Sequence, residues 1–234
     1  MVDTGKRNCC RKERSVMPVK PVKVGLKKIE QWNDSMEVAV CKYEEEQVEK
    51  GQIVFYGPSN FTRWSAKWGM TPLREEILGK SGKPCAVNRG FGSSCTEHHL
   101  YYYPRMVRAL EPKVLVYAPG LGNGLYFGYT KEELFDLAQR VVLYAQADFP
   151  DLKVYLCGLN LYRDPDNEDI RIYDGWIRQF VEETPNCTYV DVTNYKPLQS
   201  MDLFAEDKKH YNREGYKRYG DLFREVLKEE LEMY

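Results

Sequence analysis

The segment Ile53-Val54-Phe55-Tyr56-Gly57-Pro58-Ser59-Asn60-Phe61-Thr62-Arg63-Trp64 passes from a four-residue apolar run, through Gly-Pro, into a loop that carries a serine. A short run of β-branched and aromatic residues closed by turn residues is the pattern of a strand buried on both faces. Similar runs occur at Ala86-Val87-Asn88, Val114-Leu115-Val116-Tyr117, Val154-Tyr155-Leu156-Cys157 and Tyr189-Val190-Asp191-Val192. Between them, residues 35–50, 96–109, 131–148 and 169–183 have the apolar spacing of helices, and a last helix is expected from Arg213 to the C-terminus. Thr130 with Glu133 three residues on forms a capping box for the third of these, and Asn212 suits the N-cap of the last. Strands alternating with helices predict an α/β domain built on a five-stranded parallel sheet. Ligands bind such sheets where loops leave the carboxyl ends of the strands. Chemistry is therefore expected in residues 57–64, 89–96, 119–130 and 158–166, and on the approach to the last helix.

The chain has 234 residues, 43% hydrophobic and 29% charged, enough to bury one sizeable core. A basic, proline-broken arm over residues 1–30, read as loosely packed and solvated, precedes a domain spanning residues 31–234. Lys and Arg number 34 against 35 Asp and Glu, so no global charge attracts nucleic acid or an anionic membrane, and the expected partner is a small molecule. No run approaches the roughly 20 apolar residues of a membrane helix, so no stable membrane insertion is expected. The first residues also lack the apolar core of a secretion signal, and a cytoplasmic location is the expectation. Seven cysteines, single apart from Cys9 and Cys10, show no metal-ligand spacing and are read as reduced, mostly buried thiols.

Ser59 follows a strand and opens a helix, where its own N–H can face an anion; serines also stand there merely to cap helices. In Asp207-Lys208-Lys209-His210 a carboxylate and an imidazole are three residues apart, within reach across a turn. A carboxylate bonded to one imidazole nitrogen fixes the tautomer and leaves the other nitrogen to take a proton from a hydroxyl. His98 and His99 have only Glu97 beside them and are read as a solvated helix face. Donors for an oxyanion are offered by the turn Asn88-Arg89-Gly90-Phe91-Gly92-Ser93-Ser94 and by Gly120-Leu121-Gly122-Asn123-Gly124, taken as a flexible loop. The aromatic run that follows suggests Tyr126 and Phe127 as walls for an acyl group or sugar ring, with packing of the loop on its own helix as the equal alternative. Trp64, Trp68 and Trp176 are assigned to the core or to helix packing.

Taken together, the order Ser59, glycine turn, Asn123, Asp207-x-x-His210 resembles the four sequence blocks of the SGNH or GDSL-like hydrolases, from about Ile53 to the C-terminus. The resemblance is carried by Val87-Asn88-Arg89-Gly90-Phe91-Gly92, by Pro112 to Ala118 and by Asp207 to Tyr216. It implies a three-layer flavodoxin-like fold and hydrolysis of carboxylic esters through an acyl-enzyme, with neither cofactor nor metal. Ser59 would be the nucleophile, His210 the base and Asp207 its orienting acid. The N–H groups of Ser59 and Ser93 and the amide of Asn123 would hold the oxyanion. A short acyl or O-acetyl ester, such as one on a carbohydrate, fits this scheme. The chain departs from the family pattern at Pro58, where Asp or Ser is usual, at Ser93, where Gly is usual, and in the Asn123 loop, which replaces Gly-x-Asn-Asp. Those departures motivate the alternative of a degenerate domain that binds a glycan or metabolite without turnover. The same triad would also serve acyl transfer to an alcohol.

Overall fold

Five short apolar runs pair in the computed structural model, which describes residues 33–234; the arm expected over residues 1–30 lies outside them. The strands are β1 (Ile53–Gly57), β2 (Ala86–Gly90), β3 (Val114–Tyr117), β4 (Lys153–Cys157) and β5 (Cys187–Val190). All pair in parallel in the order β2-β1-β3-β4-β5, the doubly wound arrangement of a flavodoxin-like sheet. The chain order reverses beside β1, so the carboxyl ends of β1 and β3 flank the crevice where the sheet's ligand site is expected.

Helices cover both faces: α1 (Asn33–Glu45), α2 (Ser59–Thr62), α3 (Leu73–Glu76), α4 (Thr96–Met106), α5 (Leu121–Tyr126), α6 (Lys131–Asp148), α7 (Glu168–Glu183), α8 (Arg213–Val226) and α9 (Lys228–Leu231). Alternation along each strand divides the core. Val54, Tyr56, Leu115, Tyr117, Val154 and Leu156 face one cluster with residues of α1, α4, α6 and α7. Ile53, Phe55, Val114, Val116, Tyr155 and Cys157 face the other, with α2, α3 and α8. Three layers result, because a strand buried on both faces needs a helix layer on each side.

The helix boundaries follow local chemistry. The Thr130–Glu133 capping box is present in both directions and starts α6 where expected. Asn212 caps α8 by accepting from the Gly215 N–H. β5 starts and ends two residues earlier than the run Tyr189–Val192 suggests. The Asp191 carboxylate accepts from the backbone and side chain of Asn194 and folds the chain into a turn there. The segment 120–124, expected as a flexible loop, instead contributes to helix α5. Its glycines permit close packing: a Cβ on Gly120 would lie 2.6 Å from the Cα of Cys95, and one on Gly124 would meet Leu134.

Cys85, Cys95 and Cys157 are buried free thiols and Cys187 is a half-buried one. Cys41 is disulfide-bonded, which corrects the expectation of reduced thiols at that position. Among the described residues no helix is long and apolar enough to cross a membrane.

Candidate active site

The position of Ser59 is built by β1 and locked by aromatic packing. Gly57 ends the strand, and Pro58, at the N-cap of α2, offers its carbonyl to the N–H groups of Phe61 and Thr62. A proline suits this place because the start of a helix needs no N–H there. Ser59 is then the first residue of α2, and its own N–H is among those a helix leaves without an internal acceptor. Two residues on, Phe61 is buried edge-on against Phe55, their centroids 5.5 Å apart, within a cluster that includes Trp64, Tyr219 and Phe223. Fully burying such a side chain stabilises the fold by about 1.5–3 kcal/mol, so α2 has little freedom to drift. Asn88 Nδ2 donates to the Phe61 carbonyl at 2.7 Å, and the Tyr216 hydroxyl donates to the Asn60 carbonyl at 2.9 Å.

Asp207 and His210 stand on a tight turn before α8. Phe204 and Tyr211 bridge across it, the Ala205 N–H donates to the His210 carbonyl, and Lys208 adopts a left-handed conformation at φ 52°. Asp207 folds over its own turn, its Oδ1 accepting from the N–H groups of Lys209 at 2.9 Å and His210 at 3.0 Å. Oδ2 is thereby aimed at the ring of His210, whose Nδ1 lies 2.8 Å away. The other ring nitrogen, Nε2, lies 2.7 Å from Ser59 Oγ, bringing together residues 151 positions apart in sequence. Burial acts to raise the Asp207 carboxyl, but the N–H groups of His210 and Lys209 and the imidazole outweigh it and hold the group well below the usual carboxylate range. Asp207 is thus ionised, as a group orienting a histidine N–H must be. From the loop after β4, Asn160 Nδ2 donates to the Tyr211 hydroxyl at 2.6 Å and braces the same turn.

The third element is the turn after β2. Ser93 is exposed and left-handed, φ 60°, which is the conformation that favours glycine at this place. Asn123, on α5, is half-buried and donates its amide to the Ser94 carbonyl at 2.7 Å, so α5 is fastened to the Ser93 turn. An amide nitrogen carries two hydrogens, and this bond uses one.

Tyr126 and Phe127 divide between the two readings given them, and Trp68 departs from its assignment. Tyr126 is 85% exposed, whereas Phe127 is half-buried against the core and packs edge-on with His98, centroids 6.2 Å apart. Trp68, expected in the core or at a helix contact, is 44% exposed with the Arg63 guanidinium 4.5 Å from its ring centroid. Trp64 is fully buried, and Trp176 is half-buried against the core, as expected.

The histidine pair also requires correction. His98 and His99 are fully buried rather than solvated, because the start of α4 passes beneath the Ser93 turn and α5. His99 has both ring nitrogens engaged, Nε2 with Ser94 Oγ at 2.9 Å and Nδ1 with the Tyr117 hydroxyl at 3.2 Å. Burial lowers His98 to about 4 and puts His99 well below its ordinary value. Among the described residues, no group of three or more His, Cys, Asp or Glu is placed to hold a metal ion.

Arg63 and Asn160 were not singled out by sequence. Arg63 lies four residues after Ser59, yet an arginine near a serine carries no signal until the fold brings its Nη1 to 2.7 Å from Asp207 Oδ2.

No protein-family model matches the sequence, and no curated protein matches it. Solved structures do. A protein from Streptococcus pneumonia, provisionally described as a platelet activating factor, superposes with a TM-score of 0.67 at 16% identity, over 85% of this chain and 96% of that one. A GDSL-like lipase from Bacteroides thetaiotaomicron gives 0.61 at 15% identity, over 86% and 97%. An acetylxylan esterase from Geobacillus stearothermophilus gives 0.58 at 15% identity, over 77% and 95%. At such identities the likeness speaks of architecture, and the five parallel strands in the order β2-β1-β3-β4-β5 with helices on both faces give this chain the fold of the SGNH or GDSL-like hydrolases.

Proposed function

We propose that the chain hydrolyses a carboxylic ester with a short acyl group through an acyl-enzyme on Ser59. The observation that carries this reading is the relay from Ser59 Oγ to His210 Nε2 at 2.7 Å and from His210 Nδ1 to Asp207 Oδ2 at 2.8 Å. Both separations are hydrogen-bond distances, the requirement for a serine and its base.

In this mechanism Ser59 Oγ attacks the ester carbonyl as its proton passes to His210 Nε2. The imidazolium so formed is stabilised by ionised Asp207. The carbonyl oxygen, now anionic, is held by the N–H of Ser59, the N–H of Ser93 and the second amide hydrogen of Asn123. Collapse breaks the bond to the alkoxy oxygen, which leaves as the alcohol with the proton from His210. Water then attacks the acyl-enzyme, giving its proton to His210, and the second collapse returns that proton to Ser59 Oγ and releases the acid. Exposed Tyr126 remains a candidate for substrate contact, whereas Phe127 is taken up largely by packing on His98. The acetylxylan esterase among the fold neighbours adds weight to an O-acetyl group on a carbohydrate as the substrate class.

Fluorophosphonate labelling of the intact protein, followed by peptide mass spectrometry, tests the reading. One adduct on Ser59, lost in Ser59→Ala and accompanied by hydrolysis of p-nitrophenyl acetate, is the expected result. A folded protein that takes no adduct would instead favour a domain that binds its ligand without turnover.

A further inference from the structure

The carboxylate of Asp207 is shared. Its Oδ2 accepts from His210 Nδ1 at 2.8 Å and also from Arg63 Nη1 at 2.7 Å. Arg63 is not a loosely held surface side chain. Its N–H closes α2 by donating to the Ser59 carbonyl at 2.9 Å, so the residue is fixed to the same turn of backbone as the serine. Its guanidinium lies over Trp68, 4.5 Å from the ring centroid, and is only about a quarter exposed at 26%. The turn bearing Trp68 is itself tied to α8, because Arg213 donates through Nε and Nη2 to the Gly69 carbonyl. The serine helix and the acid–base turn are therefore fastened at two points, Ser59 to His210 and Arg63 to Asp207.

We propose that Arg63 is a positioning residue of this site, holding the oxygen of Asp207 that orients His210 and setting the pH below which His210 ceases to act as a base. The proposal rests on the reading of Ser59, His210 and Asp207 as a catalytic relay. Two effects follow from a fixed cation on that oxygen. The carboxylate keeps one rotamer, with its lone pair aimed at Nδ1. The positive charge also offsets part of the attraction between Asp207 and an imidazolium, so His210 stays neutral to lower pH than Asp207 alone would allow. Among the described residues, the other groups facing the pair include the Ser59 hydroxyl from α2, the Tyr216 phenol from α8, which is neutral here, and the backbone N–H groups of Lys209 and His210. Glu206, Lys208 and Lys209 are exposed on the same turn, where water screens them.

The chain contains three histidines, and two are buried with their titration displaced to lower pH, so the imidazole titration of His210 can be followed separately by NMR on the full chain. Arg63→Met should raise the midpoint of His210 by about one pH unit, the low end of the effect of an adjacent charge because the pair is partly exposed. Arg63→Lys should return the midpoint most of the way to wild type while leaving the plateau kcat severalfold low, since an ammonium restores the charge but not the fixed fork. The acid limb of kcat/KM should move with the midpoint. An unmoved midpoint in folded Arg63→Met would overturn the proposal, leaving a surface ion pair; should that variant not fold, Arg63→Gln gives the same reading. Because the titration needs no turnover, its outcome is separate from that of Ser59 labelling, which alone decides the catalytic reading.

Discussion

Asp207→Asn probes the proposed mechanism at its most constrained point. The carboxylate meets four donors: the N–H groups of Lys209 and His210 at Oδ1, and His210 Nδ1 and Arg63 Nη1 at Oδ2. An amide offers one acceptor oxygen and must turn its NH2 toward one of the two pairs. The backbone pair is fixed by the turn, whereas the Arg63 guanidinium, still stacked on Trp68, can pivot away from the amide, so the NH2 should face His210. Nδ1 must then accept, the ring proton moves to Nε2, and Nε2 can no longer take the proton of Ser59. A wrong tautomer of this kind lowers kcat by about 10⁴, or roughly 5.5 kcal/mol in the barrier. Stability should fall much less, by about 1–2 kcal/mol, because the lost bonds are charge-assisted but Asp207 is about a third exposed and water replaces part of them. Steady-state hydrolysis of p-nitrophenyl acetate measures the first quantity and urea unfolding the second, while ¹⁵N shifts of the imidazole report the tautomer directly. A folded Asp207→Asn enzyme within about tenfold of the wild-type kcat would refute the assigned role of Asp207.

Asn123→Ala should cost about 2.7–4 kcal/mol in the transition state if the second amide hydrogen reaches the oxyanion, with most of the loss in kcat rather than KM. A change confined to melting temperature would mean that Asn123 only fastens α5 to the Ser94 carbonyl. Acid stability should follow the buried histidines. Unfolded imidazoles titrate near about 6.5, whereas burial holds His98 down to about 4 and His99 well below its ordinary value. Their contribution to stability is therefore complete above the unfolded value and is lost as pH falls toward the folded ones. Urea unfolding at a series of pH values should show a loss approaching about 2.7 kcal/mol per pH unit, the slope for two protons taken up on unfolding. Unchanged stability between pH 7 and pH 5 would show that both rings accept protons in place, and about half the expected slope that one does.

Much of the fold was legible because its strands are local signals. Ile53 to Tyr56 and Val114 to Tyr117 are apolar on both faces, a pattern that only a sheet covered on two sides explains. The grouping of Ser59, Asp207 and His210 was expected from the resemblance of their sequence blocks to those of the SGNH or GDSL-like hydrolases, and the three side chains do meet, at 2.7 and 2.8 Å. What sequence did not reveal depends on packing between segments. Glycines at 120, 122 and 124 read as a loop, yet close contacts with Cys95 and Leu134 favour a helix there over solvated coil. Adjacent histidines beside a glutamate read as surface, because the sequence does not show that Glu97 is buried and bonded to the Tyr129 hydroxyl. Arg63 and Asn160 reach the site through partners 144 and 51 residues away, beyond any local pattern.

The buried histidines bear on the geometry of the proposed oxyanion site. The Ser94 hydroxyl donates to the Phe91 carbonyl at 2.6 Å, so at 2.9 Å it must accept from His99 Nε2, and Nδ1 must then accept from the Tyr117 hydroxyl. The Tyr56 hydroxyl donates in turn to the His99 carbonyl at 2.7 Å. A neutral imidazole thus ties the Ser93 turn to the ends of β1 and β3, and each donor in the chain has its acceptor without any buried charge. Such a network is stiff because breaking one bond strands a polar group in the core. It would keep the left-handed Ser93 in place without the glycine usual there. His98 is arranged differently: its Nδ1 accepts from the Cys95 N–H at 3.1 Å, so its proton lies on Nε2, which has no hydrogen-bond acceptor among the described residues. That ring packs edge-on with Phe127, a contact that secures α5, and with it Asn123, against the start of α4. Phe127 is therefore better understood as part of the support for the Asn123 amide than as a wall of the acyl pocket, and the 85% exposed Tyr126 beside it is the aromatic ring that a substrate could still engage.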